Sequence, residues 1–310
     1  MSKEPQNVFC EKIYLEYQKE YHLNSKFNEI KLSGTNIANE KIEYPITIET
    51  IDNAKYLNSY NNPIFLDDLN LNQESYRKFL DELKNISKKN KIKNILFKKS
   101  FEINDLEKKL QENKKNINLI GAESIINLNQ DLKYIESKFS KGHKSALKIN
   151  YENLKYKIFD KNNYQKDQIF EMMDLHKKVS GKSTRSKETW KINEKMILEN
   201  KGLLIRANEG LTSISFALIF FNKDYSIYFS SCTKREKFKS YKNITHKIIW
   251  EVIKYLKIIK CKQFNLGITK TLYANNEVDQ KNKNISLFKS SFGGDKKYFT
   301  IYNNLDNLFN

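Results

Sequence analysis

The sequence predicts an α+β protein in which a mixed, mostly antiparallel sheet is flanked by helices. Three observations support this class. The first half of the 310-residue chain alternates helix-like and strand-like segments. The second half contains strands joined by turn sequences, followed by an apolar helix and another strand. Apolar residues make up 39% of the chain, which is enough to form packed cores and excludes a disordered protein.

In the first half, helices are indicated where apolar residues recur at intervals of three and four positions. The clearest pattern has these residues on one face: Tyr76, Phe79, Leu80, Leu83 and Ile86. Further helices are expected over residues 8–21 and 104–111, the second capped by Asn104. Apolar runs predict strands at residues 44–48, 64–66, 92–97 and 124–128.

A strongly basic segment over residues 131–150 is predicted to be helical, with a break near Gly142. The alternating residues 154–159 that follow predict a half-buried strand. We place a domain boundary near residue 150, so that residues 1–150 and 151–310 form two domains. No proline- or serine-rich linker marks this boundary, and the two domains are therefore expected to pack closely.

The second half begins with two helices separated by a polar loop at residues 181–186, in which Ser186 can cap the second helix. An antiparallel meander follows, because Asn208-Glu209-Gly210 and Asn222-Lys223-Asp224 are typical turn sequences between apolar strands. An apolar helix over residues 248–259 comes next. Strands are then predicted at residues 263–266 and 297–302, the last one at the edge of the sheet.

The net charge of +18 favours phosphate-bearing partners, such as a nucleic acid, a nucleotide-linked substrate or an anionic lipid. Lysine supplies nearly all of this charge, and asparagine and isoleucine are also abundant, as in proteins from AT-rich genes. Part of the basicity is therefore compositional. The few arginines are more informative, since arginine forms bidentate contacts with phosphate and carboxylate; they are Arg77, Arg185, Arg206 and Arg235.

The three cysteines, Cys10, Cys232 and Cys261, are far apart and show no metal-ligand spacing, so neither a disulfide framework nor a metal site is indicated. Cys232 and Cys261 lie in apolar stretches and are expected to be buried thiols. No run of about 18 apolar residues is present, and the first residues lack the apolar core of a signal peptide. The expectation is a cytoplasmic protein without a transmembrane segment.

The most informative stretch is Phe288-Lys289-Ser290-Ser291-Phe292-Gly293-Gly294. A lysine between two aromatic residues can be partly removed from water, which strengthens its interaction with an anion. Such a cation is suited to hold negative charge that develops during a reaction. The Gly293-Gly294 pair allows a close approach to the backbone. The alternative is a turn with a solvated lysine between two core aromatic residues.

Other candidate binding residues lie in three basic segments. Arg185 and Thr184 belong to the polar loop, where the arginine would clamp a phosphate or carboxylate or else form a surface ion pair. Lys141, His143 and Lys144 lie in the basic helix, which is either a diphosphate contact or a solvated face. The third segment contains Arg235. His176 and His246 are either core residues or general bases, and Trp190 and Trp250 are expected in the core.

Three segments, taken together, resemble one family. They are residues 139–148, the loop 181–186 with its preceding helix and Trp190, and residues 288–294. They are similar to the basic helix, the "GR-TRS" loop and the "FK-xx-FG" motif of the Fem proteins FemA, FemB and FemX. The related FemAB-like and CelD-like acetyltransferase domains of the GNAT superfamily share this pattern. The resemblance covers roughly residues 120–300.

The resemblance implies two tandem GNAT-like domains that pass an acyl group to an amine. The donor would be an aminoacyl-tRNA or an acyl-CoA, with no tightly bound cofactor. The acceptor would be a phosphate-bearing or lipid-linked precursor, either a peptidoglycan peptide or an amino sugar. Lys289, with Phe288 beside it, would stabilise the charge that forms on the carbonyl oxygen. One departure is that residues 233–243 lack the glycines with which ordinary GNAT enzymes cradle the CoA pyrophosphate.

Three alternatives remain open at this point. An acyl-CoA-dependent N-acetyltransferase of polysaccharide synthesis would differ only in its donor and pathway. A non-catalytic RNA-binding protein would have its lysines on one continuous face and bind in a salt-sensitive manner. The same lysines also favour peripheral contact with the inner membrane surface.

Overall fold

The computed structural model describes residues 11–22, 27–51, 54–60, 62–69, 71–111, 117–241, 243–274 and 278–304. The strands of these residues form one sheet of eleven strands in the order β1-β2-β3-β4-β11-β5-β10-β9-β8-β7-β6. The strands are β1 (Phe27–Thr35), β2 (Lys41–Ile51), β3 (Ala54–Asn58), β4 (Asn94–Phe101), β5 (Ile117–Asn127), β6 (Leu154–Phe159), β7 (Gly202–Glu209), β8 (Thr212–Phe221), β9 (Tyr225–Thr233), β10 (Gln263–Ala274) and β11 (Asp295–Asn304). The helices are α1 (Lys12–Tyr21), α2 (Gln73–Lys89), α3 (Leu106–Gln111), α4 (Leu132–Ser137), α5 (Lys141–Lys148), α6 (Gln168–Ser180), α7 (Lys187–Leu198), α8 (Ile244–Ile258) and α9 (Gln280–Ser290). The α+β class is confirmed.

The two halves of the chain repeat one arrangement. In the first half, β1, β2 and β3 are antiparallel neighbours, α2 follows, and β4 returns parallel to β3. In the second half, β7, β8 and β9 are antiparallel neighbours, α8 follows, and β10 returns parallel to β9. A helix crossover is what connects parallel neighbours, whereas short turns connect antiparallel ones. The predicted meander of the second half is therefore confirmed, and the first half has a counterpart to it.

Each half gives its last strand to the other half. β11 lies between β4 and β5, antiparallel to both, and β5 pairs on its other side with β10. The prediction that residues 297–302 form an edge strand was wrong. Phe299 and Thr300 are both buried although they face opposite sides of the sheet, as expected for an interior strand. The division near residue 150 stays a prediction, but the sheet of each half is completed from beyond that point.

Three apolar clusters cover the sheet. One is formed by the first half, and two flank the second-half strands. The helix α1 from the start of the chain packs on α7, and its Tyr14 and Tyr17 enter the second-half cluster that also contains Trp190. The buried thiol Cys232 belongs to this cluster, and Cys261 belongs to the other. The two halves are thus joined by helix packing as well as by the exchanged strands.

Side-chain caps fix where several helices begin. Ser186 accepts a hydrogen bond from the backbone of Thr189 and caps α7, as predicted. Ser140 caps α5 in the same way, so the basic segment breaks at residues 138–140 and not near Gly142. Gly142 instead lies inside α5. Within the described residues, no helix is both long enough and apolar enough to cross a membrane.

Candidate active site at the opening between β9 and β10

An opening in the sheet lies where β9 and β10 part. The two strands pair in parallel only over residues 225–227 and 263–265, and no pairing between them continues in the described part of the chain. Two irregularities occur at this level. Phe229 is an extra residue in β9, because Leu218 pairs with Ser230 and Ile219 with Tyr228. β10 shifts its register after Asn265. Such bulges bend a strand and end its pairing, so both strands turn away from each other here.

The equivalent opening of the first half is closed by the chain itself. There, β3 pairs with β4 only through Tyr56 and Leu57. Ile64 then takes the place of a continuing strand, because its N–H donates to the carbonyl of Leu96 and its carbonyl accepts from the N–H of Lys98. A backbone edge that is already hydrogen-bonded offers nothing to a ligand. The opening of the second half is therefore the better candidate site.

Lys289 reaches this opening from α9. A Cβ atom placed on Gly267 would lie 2.8 Å from the Nζ atom of Lys289, so the ammonium group occupies the space that glycine leaves free. Gly267 has a φ of 81°, which glycine adopts without strain. Its N–H donates to the side-chain oxygen of Asn265 at 2.6 Å. Strand β10 extends through Gly267 to Ala274, so the prediction that it ends at residue 266 was wrong.

The environment of Lys289 lowers the pKa of its ammonium group. Burial of the ammonium group lowers the pKa of Lys289 to about 8, and the negative charge of Glu123 partly opposes this shift. The group is thus mostly charged at neutral pH and titrates slightly above it. A desolvated cation of this kind interacts strongly with an anion that enters the opening.

The aromatic residues beside Lys289 anchor α9 to the protein. Phe292 is 1% exposed, and its ring centroid lies 4.3 Å from that of His143. Phe288 packs on the rings of His143 and His246, and the centroids of these two imidazole rings are 4.1 Å apart. Burial, together with the neighbouring His246, lowers the pKa of His143 to about 4, so it is neutral. The structure therefore places His143 in the packing beneath α9 and not on a solvated face.

The two glycines after α9 serve close packing. Gly293 has a φ of 65°, and a Cβ atom there would overlap the carbonyl group of Lys138. A Cβ atom on Gly294 would collide with the backbone of Ile125 in β5. The N–H of Ser140 also donates to the carbonyl of Ser291 at 2.9 Å. The Gly293-Gly294 pair therefore lets the end of α9 lie directly against the segment between α4 and α5.

A buried polar cluster lies beside the opening, and the sequence analysis missed it. The Nζ atom of Lys98 donates to Oε1 of Glu123 at 2.9 Å. The side-chain amide of Asn265 donates to Oε2 of Glu123 at 3.2 Å and to the hydroxyl of Tyr225 at 2.5 Å. These residues belong to β4, β5, β10 and β9. The available signal was Glu123 as a single charge in an apolar strand sequence and the Lys98-Lys99 pair after an apolar run, but the strand order was needed to bring the charges together.

Arg185 lies beside the bulge residue of β9. Its guanidinium group lies 5.6 Å from the ring centroid of Phe229, the bulge residue, and 5.2 Å from that of Trp190. Its Nε–H donates to the hydroxyl of Tyr17 at 2.8 Å. His176 lies between Arg185 and Thr184, and burial with the nearby arginine lowers its pKa. The guanidinium is thus held in place by aromatic rings, with its planar face fixed.

The remaining candidates have other surroundings. Lys144 donates to the carbonyl of Ser137, and Arg235 donates to the carbonyl of Val179. Lys141 is exposed at the start of α5. The structure thus brings Lys289 to the opening and Arg185 to the bulge residue Phe229, while Lys144 and Arg235 are engaged with backbone carbonyls elsewhere. Among the residues that the structure describes, no group of three or more His, Cys, Asp or Glu side chains could hold a metal ion.

A basic groove lies on the first-half side of the buried cluster. It has a volume of about 880 Å³ and is found where β4 ends and β11 begins. Tyr225 forms part of its wall and connects it to the cluster. Its basic side chains outnumber its three acidic ones; they are Lys99, Lys108, Lys109, Lys296 and Lys297. The groove is therefore suited to an anionic ligand.

Comparisons with known proteins show where this fold occurs. The sequence matches no protein-family model and no curated protein. The structure of FemX superposes with a TM-score of 0.65 at 14% identity, covering 99% of this chain and 95% of FemX. L-PGS from Bacillus licheniformis gives a TM-score of 0.56 at 12% identity, covering 96% of this chain and 94% of that protein. A C-terminal domain from Agrobacterium fabrum, named as that of a lysylphosphatidylglycerol synthetase, gives 0.52 at 10% identity, with 93% and 90% covered. The resemblance suggested by the three motifs is confirmed in the fold, and this chain is a protein of FemX-like fold.

Proposed function

We propose that this protein is an N-acyltransferase that passes an acyl or aminoacyl group to an amine of a cell-envelope precursor. The observation that carries the proposal is the position of Lys289. Its ammonium group is partly buried and lies against Gly267 at the opening between β9 and β10, across which no strand of the described residues pairs. A cation in such a place can face the oxygen of a carbonyl group that enters from either side of the opening.

The chemistry requires one cation and good alignment. The acceptor amine attacks the carbonyl carbon of an ester or thioester, forming a C–N bond and placing negative charge on the carbonyl oxygen. Lys289 stabilises this oxyanion. The intermediate then expels the alcohol or thiol of the donor, breaking the C–O or C–S bond, and the proton from the amine leaves with that group or through water. An activated ester held near an amine needs little more than orientation.

The donor that we propose is an aminoacyl-tRNA, with an acyl-CoA as the second candidate. Residues 233–243 contain no glycine, and a short 3-10 helix forms there at Arg235–Phe238. This departs from the glycine-rich turn that binds the CoA pyrophosphate through backbone N–H groups. The net charge of +18 and the lysines suit a polyphosphate donor of either type.

The acceptor that we propose carries both a phosphate and an amine and belongs to the cell envelope, as a soluble or lipid-linked peptidoglycan precursor. The basic groove beside the buried cluster supports an anionic acceptor. The name lysylphosphatidylglycerol synthetase, carried by a protein of similar fold, describes an aminoacylated lipid. A lipid-linked acceptor would also require contact with the inner membrane surface. The similar structures described above give no support to a role in polysaccharide synthesis, and we do not propose it.

A non-catalytic RNA-binding protein is less well supported by the site. Binding to the phosphate backbone of RNA requires exposed cations, whereas the burial of Lys289 reduces its access to a bulky backbone. Burial also costs free energy, which is understandable at a reaction centre and has no purpose on an RNA-binding face.

The test is acyl transfer by the purified protein to soluble and lipid-linked muropeptide precursors, with aminoacyl-tRNA or acyl-CoA as the donor. Lys289→Met should lower the turnover number by about 10²–10³-fold, the effect expected when an oxyanion donor is lost. Lys281→Met, on the exposed side of the same helix, is the matched control and should be close to the wild type. Near-normal turnover of Lys289→Met, or no transfer from either donor to any of these acceptors, would refute the proposal.

A further inference from the structure

We propose that Glu123 is a positioning residue for Lys289: its buried carboxylate, anchored by Lys98 and Asn265, holds the ammonium group of Lys289 at the opening between β9 and β10. The consequence for catalysis rests on the proposed function. The interaction itself does not, because it can be measured without any substrate.

The carboxylate of Glu123 is held rigidly. Glu123 is 8% exposed and Lys98 is 4% exposed. Both oxygens of the carboxylate have donors, Lys98 at 2.9 Å and Asn265 at 3.2 Å. The ammonium group of Lys98 is enclosed by aromatic rings, with the centroid of Phe299 at 4.7 Å and that of Phe65 at 5.3 Å. A carboxylate fixed on two sides keeps a constant distance from a third group nearby.

The geometry connects this carboxylate to the position of Lys289. In the pairing of β10 with β5, Ile268 is opposite Glu123. Gly267 is the residue of β10 directly before Ile268, and it therefore lies close to Glu123. Asn265 binds Glu123 with its amide nitrogen and the N–H of Gly267 with its oxygen. Gly267 in turn provides the free space that Lys289 occupies. The buried cluster and the seat of Lys289 are therefore built on the same bulge of β10.

Stability alone does not explain a buried ion pair in this place. Removing two charges from water costs several kcal/mol, and apolar residues of similar size often stabilise a protein equally well. The pair therefore invites a functional account. One negative charge lies near two ammonium groups, a direct partner in Lys98 and a more distant one in Lys289. The charge of Glu123 opposes the lowering of the Lys289 pKa by burial, in agreement with this arrangement.

A purely structural pair makes a different prediction. If Lys98 and Glu123 only join the strands of the two halves, their replacement changes stability and leaves the titration of Lys289 alone. If Glu123 acts on Lys289, removal of the negative charge lowers the pKa of Lys289, and removal of the competing positive charge raises it. The opposite signs of the two effects distinguish the roles.

The experiment measures the rate at which Lys289 is acetylated by acetic anhydride as a function of pH, using mass spectrometry of the peptide that contains it. The wild type should show a midpoint near pH 8. Glu123→Gln should lower the midpoint by about one pH unit. Lys98→Met should raise it. The double variant should lie between the two single variants. Glu209→Gln is the matched control. Like Glu123, Glu209 accepts hydrogen bonds from a lysine and from one other side chain, here a tyrosine, but it lies elsewhere.

The ordering of the midpoints decides the matter. Midpoints that do not move, or that move in the same direction in both single variants, would overturn the inference. Glu123→Gln removes the carboxylate that pairs with the buried Lys98 and is the variant most at risk of misfolding. The double variant removes both charges of this pair and must then still show a midpoint below that of Lys98→Met. Shifted midpoints together with full turnover of Lys289→Met would refute the proposed function and leave this inference standing. Loss of turnover in Lys289→Met together with unmoved midpoints in the Glu123 and Lys98 variants would support the proposed function and overturn this inference.

Discussion

At the scale of single residues, the charge of the Lys289 ammonium group has a cost in the free energy of folding. Its ammonium group is largely buried, and no carboxylate of the described residues lies within ion-pair distance of it. Its pKa of about 8 in the folded protein is below the value of 10.5 for a free side chain. The folded state therefore penalises the charged form, so the charge of Lys289 lowers the stability of the protein.

We predict that Lys289→Met stabilises the protein at neutral pH, by about 1–3 kcal/mol in the free energy of unfolding. The unfolded chain binds more protons than the folded one between pH 8 and 10.5, so the penalty is full below pH 8 and vanishes above 10.5. The advantage of the variant should shrink accordingly as the pH rises. Urea unfolding at several pH values measures this. Lys281→Met is the control, and an equal loss of stability at every pH would contradict the prediction.

At the scale of the structural elements, the bulge of β10 creates the space that the ammonium group of Lys289 occupies. Gly267→Ala should displace the Lys289 ammonium group, because the added Cβ would lie 2.8 Å from its Nζ atom. Gly181→Ala is a close control, with a φ of 75° and no neighbouring atom within 4 Å.

Both alanine variants should lose about 1 kcal/mol of stability from the left-handed backbone. Only Gly267→Ala should also lower acyl transfer and change the pH midpoint of Lys289 acetylation. Thermal unfolding and the acetylation assay separate the two effects. Equal behaviour of the two variants in the acetylation assay would show that Gly267 does not shape the seat of Lys289.

The elements also show what a sequence can reveal. The second-half meander, α8 and the cap of α7 were predicted, because their turns, apolar faces and cap residues are local signals. Helix α9 was missed, since it has polar residues around most of its circumference and packs on the protein only through half-buried residues such as Phe288 and Lys289. The edge strand β1 and the short β3 were missed as well, because their sequences are polar or brief. Residues 64–66 contribute only the bridge of Ile64 with Phe97.

The candidate site, which stays a proposal, was indicated by the sequence only in part. Lys289 stood out because of its aromatic neighbours and the glycine pair, which are adjacent in sequence. Lys98 and Glu123 are paired across β11, a strand that comes nearly two hundred residues later than Lys98 in the chain. Period-two alternation tells which face a residue occupies but not which strand lies beside it. The ion pair and the interior position of β11 were out of reach for the same reason.

At the scale of the whole molecule, the exchanged strands tie the halves into one structure. Residues 1–150 expressed alone would lack β10 and β11, leaving one edge of β4 unpaired and β5 without any partner. Residues 151–310 alone would lack β4 and β5, leaving β11 without any partner and β10 paired only with β9. Unpaired backbone groups of interior strands are costly and prone to aggregate.

We therefore predict that neither half folds stably by itself, and that the two halves expressed together associate into a native-like complex. Co-purification through a tag on one half, followed by hydrogen exchange of β4, β5 and β11, tests this. A cooperative thermal transition of residues 151–310 alone would show instead that the second half is an independent domain.

The interior position of β11 also constrains how the protein is made. On the ribosome, β4 and β5 emerge early, but the strand that belongs between them is synthesised only after residue 295. The position between β4 and β5 therefore stays unoccupied for most of translation. Contacts between residues so distant along the chain are slow to form. Chaperone dependence during synthesis, and sensitivity to early termination, are the expected cellular signs of this order.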